Sequence, residues 1–226
     1  MEFFEKGKQL YALKKYEEAI EFYEKVILHK PDHSDAYYEK GICLYRLKKY
    51  EEAIACFDKV LSLEPHYLQA FSKKGRCLFH LQKYEEAIKC CDRMIFLNPG
   101  WIPAYELKGL SLGRLGQFEE AVVCFDKILS LDPGNPIALS NKGDSLLFLK
   151  KYEEAIQYYN DIISLEPGTA RLYYNKALCL LRLSRYIEAI ICFDKTLSLE
   201  PNETFALKPK EFCLNKLKII QETRDD

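Results

Sequence analysis

The sequence predicts an all-α protein built as a linear array of antiparallel helix pairs. Three observations predict it. Pro31, Pro65, Pro99, Pro133, Pro167 and Pro201 lie 34 residues apart. Gly7, Gly41, Gly75, Gly109 and Gly143 keep the same interval, with Ala177 in the sixth place, as do Ala19, Ala53, Ala87, Ala121, Ala155 and Ala189. The phrase LKKYEEAI at residues 13–20, 47–54 and 149–156, and LQKYEEAI at 81–88, recurs in that phase. A period held six times without insertion or deletion marks a repeat architecture. The copies span 1–33, 34–67, 68–101, 102–135, 136–169 and 170–203, followed by a divergent segment at 204–226.

Each copy carries two runs of helical periodicity. In the second copy Tyr37, Leu44 and Leu47 mark the first helix, and Ile54, Phe57, Val60 and Leu61 the second. The recurring phrase lies between them. Its lysines fall at the C-terminal end of the first helix and its glutamates in the first turn of the second, so both complement the helix dipoles. Proline then stops the second helix. A glycine inside the first helix costs about 1 kcal/mol relative to alanine, and its recurrence predicts a close helix–helix approach, with Gly41 facing Ala53. In the closing segment Phe205, Leu207, Phe212, Leu214, Leu217 and Ile220 predict a capping helix that Pro209 kinks or starts late. Truncation after Glu203 is expected to promote aggregation.

These columns resemble the tetratricopeptide repeat, whose pattern is an aromatic, Leu-Gly, an apolar residue, Ala, an aromatic and Pro. The second copy shows Tyr37, Lys40-Gly41, Leu44, Ala53, Phe57 and Pro65. Lysine stands where the family usually has leucine, at Lys6, Lys40, Lys74, Lys108, Lys142 and Lys176. That column is either solvated or, as we favour, lays its methylene stems on the seam while the amines reach water. The resemblance implies a right-handed superhelical α-solenoid with first helices lining a concave groove.

On the family's lining positions this predicts a groove of Tyr38, Ile42, Tyr45, Arg76, Phe79, Leu110, Asn141, Asp144, Leu147, Tyr174, Asn175, Leu178 and Leu181. The alternative for each is packing between adjacent first helices. A basic column, Arg46, His80, Arg114, Arg182 and Lys216, runs beside it and suits an acidic peptide or a solvated face paired with glutamates. The carboxylate clamp that some relatives use for chaperone tails is absent as a full set from every three consecutive copies. Trp101 reads as packing at the junction between copies three and four.

The remaining chemistry is sparse. Cys43, Cys77, Cys179 and Cys213 share one column and Cys56, Cys90, Cys124 and Cys192 another, with Cys91 outside both. Equivalent positions in stacked hairpins sit roughly 8–10 Å apart, too far to converge on one ion, so the thiols read as small hydrophobes. His29 and His33 have metal-pair spacing, but Pro31 interrupts any helix between them. No phosphate loop, nucleophile–base pair, cofactor or catalytic residue is expected. Net charge is −1 and no apolar run reaches membrane-spanning length, so a cytoplasmic, soluble protein is expected, without membrane or nucleic-acid partners. The leading reading is a non-catalytic scaffold or adaptor for a peptide, partner protein or partner helix. Alternatives are the recognition arm of a larger enzyme such as a glycosyltransferase assembly, an RNA-binding solenoid, and self-association through an end repeat.

Overall fold

The computed structural model describes residues 2–202 and 204–225, with the side chains of 224 and 225 left out. The boundary drawn at Glu203 and the termini Met1 and Asp226 lie outside the described residues. Among the described residues the secondary structure is helical throughout, and two compact units divide the chain at Leu115 and Gly116. The first unit holds α1 (Glu2–Ala12), α2 (Tyr16–His29), α3 (Ser34–Arg46), α4 (Tyr50–Leu63), α5 (Leu68–His80), α6 (Tyr84–Leu97) and α7 (Ile102–Arg114). The second holds α8 (Phe118–Leu131), α9 (Pro136–Phe148), α10 (Tyr152–Leu165), α11 (Ala170–Arg182), α12 (Tyr186–Leu199), a short 3-10 turn at Thr204–Ala206 and α13 (Leu207–Asp225). Within each unit every helix packs on its neighbours in the chain, the arrangement of an α-solenoid.

The recurring phrase is a helix C-cap. Lys14, Lys48, Gln82, Lys150 and Ser184 take left-handed backbone with φ between 58° and 61°, and Gly116 takes the same place at 78°. The next residue's N–H closes the turn: Lys15 on the Leu10 carbonyl, Lys49 on Leu44, Lys83 on Leu78, Lys151 on Leu146 and Arg185 on Leu180, each at 2.9 Å. This is the Schellman arrangement, which satisfies carbonyls the helix end would leave bare. The second lysine of the phrase then reaches into the next helix, as in Lys15–Glu18 at 2.8 Å.

The glycine column makes room for a ring rather than for Ala53. A Cβ built on Gly41 would lie 2.7 Å from Cε1 of Phe57, on Gly7 2.6 Å from Cε1 of Tyr23, and on Gly143 2.9 Å from Cε1 of Tyr159. Those rings sit sixteen residues after each glycine and are fully buried. The third copy has Cys91 at the ring position, and there Leu107 of the next helix fills the space, 2.9 Å from a Cβ on Gly75.

The lysine column likewise differs from expectation. Its amines do not end in water but on the carboxylate sixteen residues earlier, on the preceding second helix: Lys40 on Glu24 at 2.6 Å, Lys74 on Asp58 at 2.5 Å, Lys108 on Asp92 at 2.6 Å, and Lys142 on Asp126. Lys210 on α13 continues the series with Asp194 at 2.5 Å. At Lys176 the corresponding position is Asn160. Each pair ties one hairpin to the next at a half-exposed site, contributing roughly 0.2–1 kcal/mol.

Pro209 lies in the first turn of α13, where its missing N–H has no helical partner to lose, so the helix is not interrupted there. Ala206 and Cys213 are fully buried, while Leu207, Phe212, Leu214, Ile219 and Ile220 remain exposed.

Candidate peptide-binding groove

In the first unit the first helices enclose a cavity of about 160 Å³ lined by Arg76, Phe79, His80, Glu106, Leu107 and Leu110. Three residues expected there, Arg76, Phe79 and Leu110, meet in it. The others are placed differently. Ile42 is 8% exposed and belongs to the core around Phe57. Tyr38 packs on the rings of Phe57 and Tyr67 at 5.9 and 5.2 Å, and burial pushes its hydroxyl up to about 12. Tyr45 lies edge-on to Tyr50 and shares a 3.1 Å hydrogen bond with His80. Arg114 is exposed at the end of α7.

The basic column leans on aromatic neighbours. His80 stacks on Tyr50 at 4.8 Å and 10°, and in the second unit Phe148 stacks on Phe118 at 4.6 Å and 6° in the same pair of positions. Nε of Arg46 donates to the Tyr11 hydroxyl at 3.3 Å. The hinge aromatics Tyr50 and Phe118 thus serve as platforms for the rings thirty places later. Trp101 packs with Met94, Ala104 and Leu107, and its buried indole N–H has no hydrogen-bond partner among the described residues.

The second unit has a larger cavity, about 520 Å³, lined by Asp144, Leu147, Phe148, Lys150, Tyr152, Arg171, Asn175, Leu178 and Arg182. Five expected residues converge there: Asp144, Leu147, Asn175, Leu178 and Arg182. Asn141 lines a neighbouring cavity of about 220 Å³, with its amide donating to the Ile137 carbonyl. Tyr174 packs on Phe193 and Phe205, and Leu181 packs against the core.

Asp144 organises this site. Its Oδ1 accepts from the Tyr159 hydroxyl and from Nδ2 of Asn175, both at 2.8 Å, and its Oδ2 from Nη1 of Arg171 at 3.1 Å. Nη2 of Arg171 donates to the Ser140 hydroxyl at 3.1 Å. Burial first, then Asp144, drives the Tyr159 hydroxyl far above its ordinary range, so it stays protonated as a donor. Sequence reasoning missed Arg171, Lys150, Phe148 and Tyr152. Arg171 had one signal: the same position elsewhere reads Asp35, Gln69, Pro103, Ile137 and Phe205.

All nine cysteines are buried. Burial raises Cys43, Cys77 and Cys179 to about 12 and Cys56 and Cys90 to about 11, so these thiols pack as neutral hydrophobes. His33 caps α3, accepting from the Ala36 N–H, and His29 bonds to the Lys25 carbonyl. Among the described residues no group of His, Cys, Asp and Glu has the spacing of a metal site, and no helix is long and apolar enough to cross a membrane.

A family model described as "Anaphase-promoting complex, cyclosome, subunit 3" matches residues 12–94 and again 114–196. The chain belongs to this family of tetratricopeptide-repeat proteins. Its fold is shared by a solved structure of MamA from Desulfovibrio magneticus RS-1, at 24% identity over 74% of this chain and 94% of that one, with a TM-score of 0.70. YrrB, described as a TPR protein with an unusual peptide-binding site, aligns at 21% identity over 84% of this chain and 97% of its own, TM-score 0.73. PilF of Pseudomonas aeruginosa aligns at 20% identity over 94% and 96%, TM-score 0.74. No curated protein matches the chain. As a member of a family of generally non-catalytic repeat scaffolds, this tetratricopeptide-repeat protein is a protein-interaction scaffold.

Proposed function

We propose that the chain is a non-catalytic adaptor that holds an extended peptide or a partner helix on its first-helix face. The observation that carries this reading is the second unit's cavity. Leu147 and Leu178 give it an apolar floor, Asn175 and the cations supply polar rim contacts, and its volume lies in the range of ligand sites. The peptide-binding site ascribed to YrrB and the multi-subunit complex named in the family model support the same role. The raised, buried thiols fit residence in the reducing cytoplasm.

The test is affinity capture from the source cell with the intact chain and with a Leu147→Ala/Leu178→Ala variant shown by circular dichroism to be folded. Partners held in the groove are lost with the variant. An identical set of captured proteins would sink the groove assignment and direct attention to the second helices.

A further inference from the structure

We propose that the cavity of the second unit selects an acidic peptide with an aliphatic anchor, taking its carboxylates on Lys150, Arg171 and Arg182 and its anchor on Leu147 and Leu178. This rests on the groove reading above and adds the chemistry of the ligand.

A repeat protein writes its scaffold many times and its function where the pattern breaks. Asp144 occupies a column that otherwise reads Lys8, Ile42, Arg76, Leu110, Leu178 and Phe212, and Arg171 is the only cation in its column. Stacking of the hairpins therefore does not need this pair. Asp144 brings no free negative charge to the cavity, because Tyr159, Asn175 and Arg171 all donate to it. What Asp144 does is hold Arg171. Two of the five guanidinium N–H donors are used, on Asp144 and Ser140, and three remain for a ligand. A fork fixed in this way is preorganised for a carboxylate.

Lys150 and Arg182 also line the cavity, and among the described residues neither has a carboxylate partner. With Arg171 set against Asp144, the site keeps a surplus of two positive charges, on Lys150 and Arg182, beside the open donors of Arg171. Leu147 and Leu178 line the same cavity and suit an aliphatic side chain. One face of Phe148 is already covered by Phe118, which favours an aliphatic peptide over a stacked base. The first unit's cavity sets Glu106 beside Arg76 and His80, so it lacks this surplus.

Fluorescence anisotropy with the full chain tests the proposal, using labelled peptides alternating Glu with Leu, Gln with Leu and Lys with Leu, and an oligouridylate of matched length. The Glu–Leu peptide is expected to bind about tenfold or more tightly than the Gln–Leu peptide, with affinity falling as salt rises. Lys150→Gln/Arg182→Gln should remove about tenfold of that affinity, leave Gln–Leu binding unchanged and flatten the salt dependence. Lys89→Gln, on the exposed face of α6 in the first unit, should leave it intact. Equal binding of the Glu–Leu and Gln–Leu peptides overturns the proposal, as does tighter binding of the oligouridylate or no peptide binding at all. The capture experiment with Leu147→Ala/Leu178→Ala judges the groove reading separately, since it reads loss of partners whatever their charge.

Discussion

Alanine at Gly41 and at Gly75 replaces the same repeat position, yet the two substitutions should differ in sign or nearly so. At Gly41 the new methyl falls 2.7 Å from Cε1 and 2.9 Å from Cζ of Phe57, with Cβ of Cys56 at 3.2 Å. Carbon atoms prefer about 3.5–4.0 Å, so roughly 0.8 Å or more must be recovered by moving a fully buried ring. Overpacking of this kind costs about 1–3 kcal/mol, against about 1 kcal/mol gained from alanine's helix propensity. Ala177 opposite the buried Phe193 shows that the chain accommodates the pair once, which bounds the penalty. Gly41→Ala is therefore expected to destabilise by about 1 kcal/mol, a fall of roughly 2–4 °C in melting temperature for a chain of this size. At Gly75 the methyl meets Cδ2 of Leu107 at 2.9 Å, the free end of a flexible side chain, and Cβ of Cys90 at an ordinary 3.4 Å. A rotamer change clears it, and Gly75→Ala is expected to be neutral or to stabilise by up to about 1 kcal/mol. Urea unfolding followed by circular dichroism compares the two, and a Gly41→Ala variant as stable as Gly75→Ala would refute the ring-pocket account.

Lys48→Gly should stabilise by about 0.5–1 kcal/mol, because left-handed backbone costs a side-chain-bearing residue about 1–2 kcal/mol and glycine returns part of that as lost chain entropy. The neighbouring Lys49→Gly, outside that conformation, should give no gain in the same melt. Tyr159→Phe removes a donor from Asp144 and should cost about 1–2 kcal/mol. Tyr23→Phe deletes a buried hydroxyl that has no hydrogen-bond partner among the described residues and should be neutral or mildly stabilising. In thiol titration of the native protein, Cys43, Cys77 and Cys179, raised from 9.0 to about 12, should be slower than an unfolded thiol by a factor on the order of a thousand from thiolate fraction alone. Rapid labelling before unfolding would contradict their burial.

The helices, their turns and the six-fold register were legible because each depends on spacing along the chain, which periodicity reads directly. The partners of the glycine and lysine columns were not. Both lie sixteen residues away across a hairpin or between hairpins, a separation set by packing rather than by a helical period. The groove was half legible for a related reason. Family positions pick out Asp144, Leu147, Asn175 and Leu178, and the basic column Arg182, all of which line one cavity. Family positions also assign Ile42 and Tyr38 to the groove in the first unit, where packing with the large rings of Phe57 and Tyr67 takes them instead. Arg171 escaped because an argument from recurrence looks for what repeats, and Arg171 matters by not repeating.

The third copy carries its own suppressor, and this gives the stacking model its sharpest internal test. Cys91 leaves the space over Gly75 short of a ring, and Leu107, where other copies have Glu39, Lys73, Asn141 or Asn175, reaches back from the next helix to fill it. Leu107→Asn alone opens that cavity and buries an amide beside it, a loss of about 2–4 kcal/mol. Cys91→Phe alone forces a ring against Leu107 and costs about 1–3 kcal/mol. Together they restore the ring-over-glycine arrangement of the second copy, so the double variant should be more stable than the sum of the single losses by at least 1 kcal/mol or so. Strict additivity would mean that the two side chains do not share one space, and the account of how neighbouring hairpins interlock at this point would fail with it.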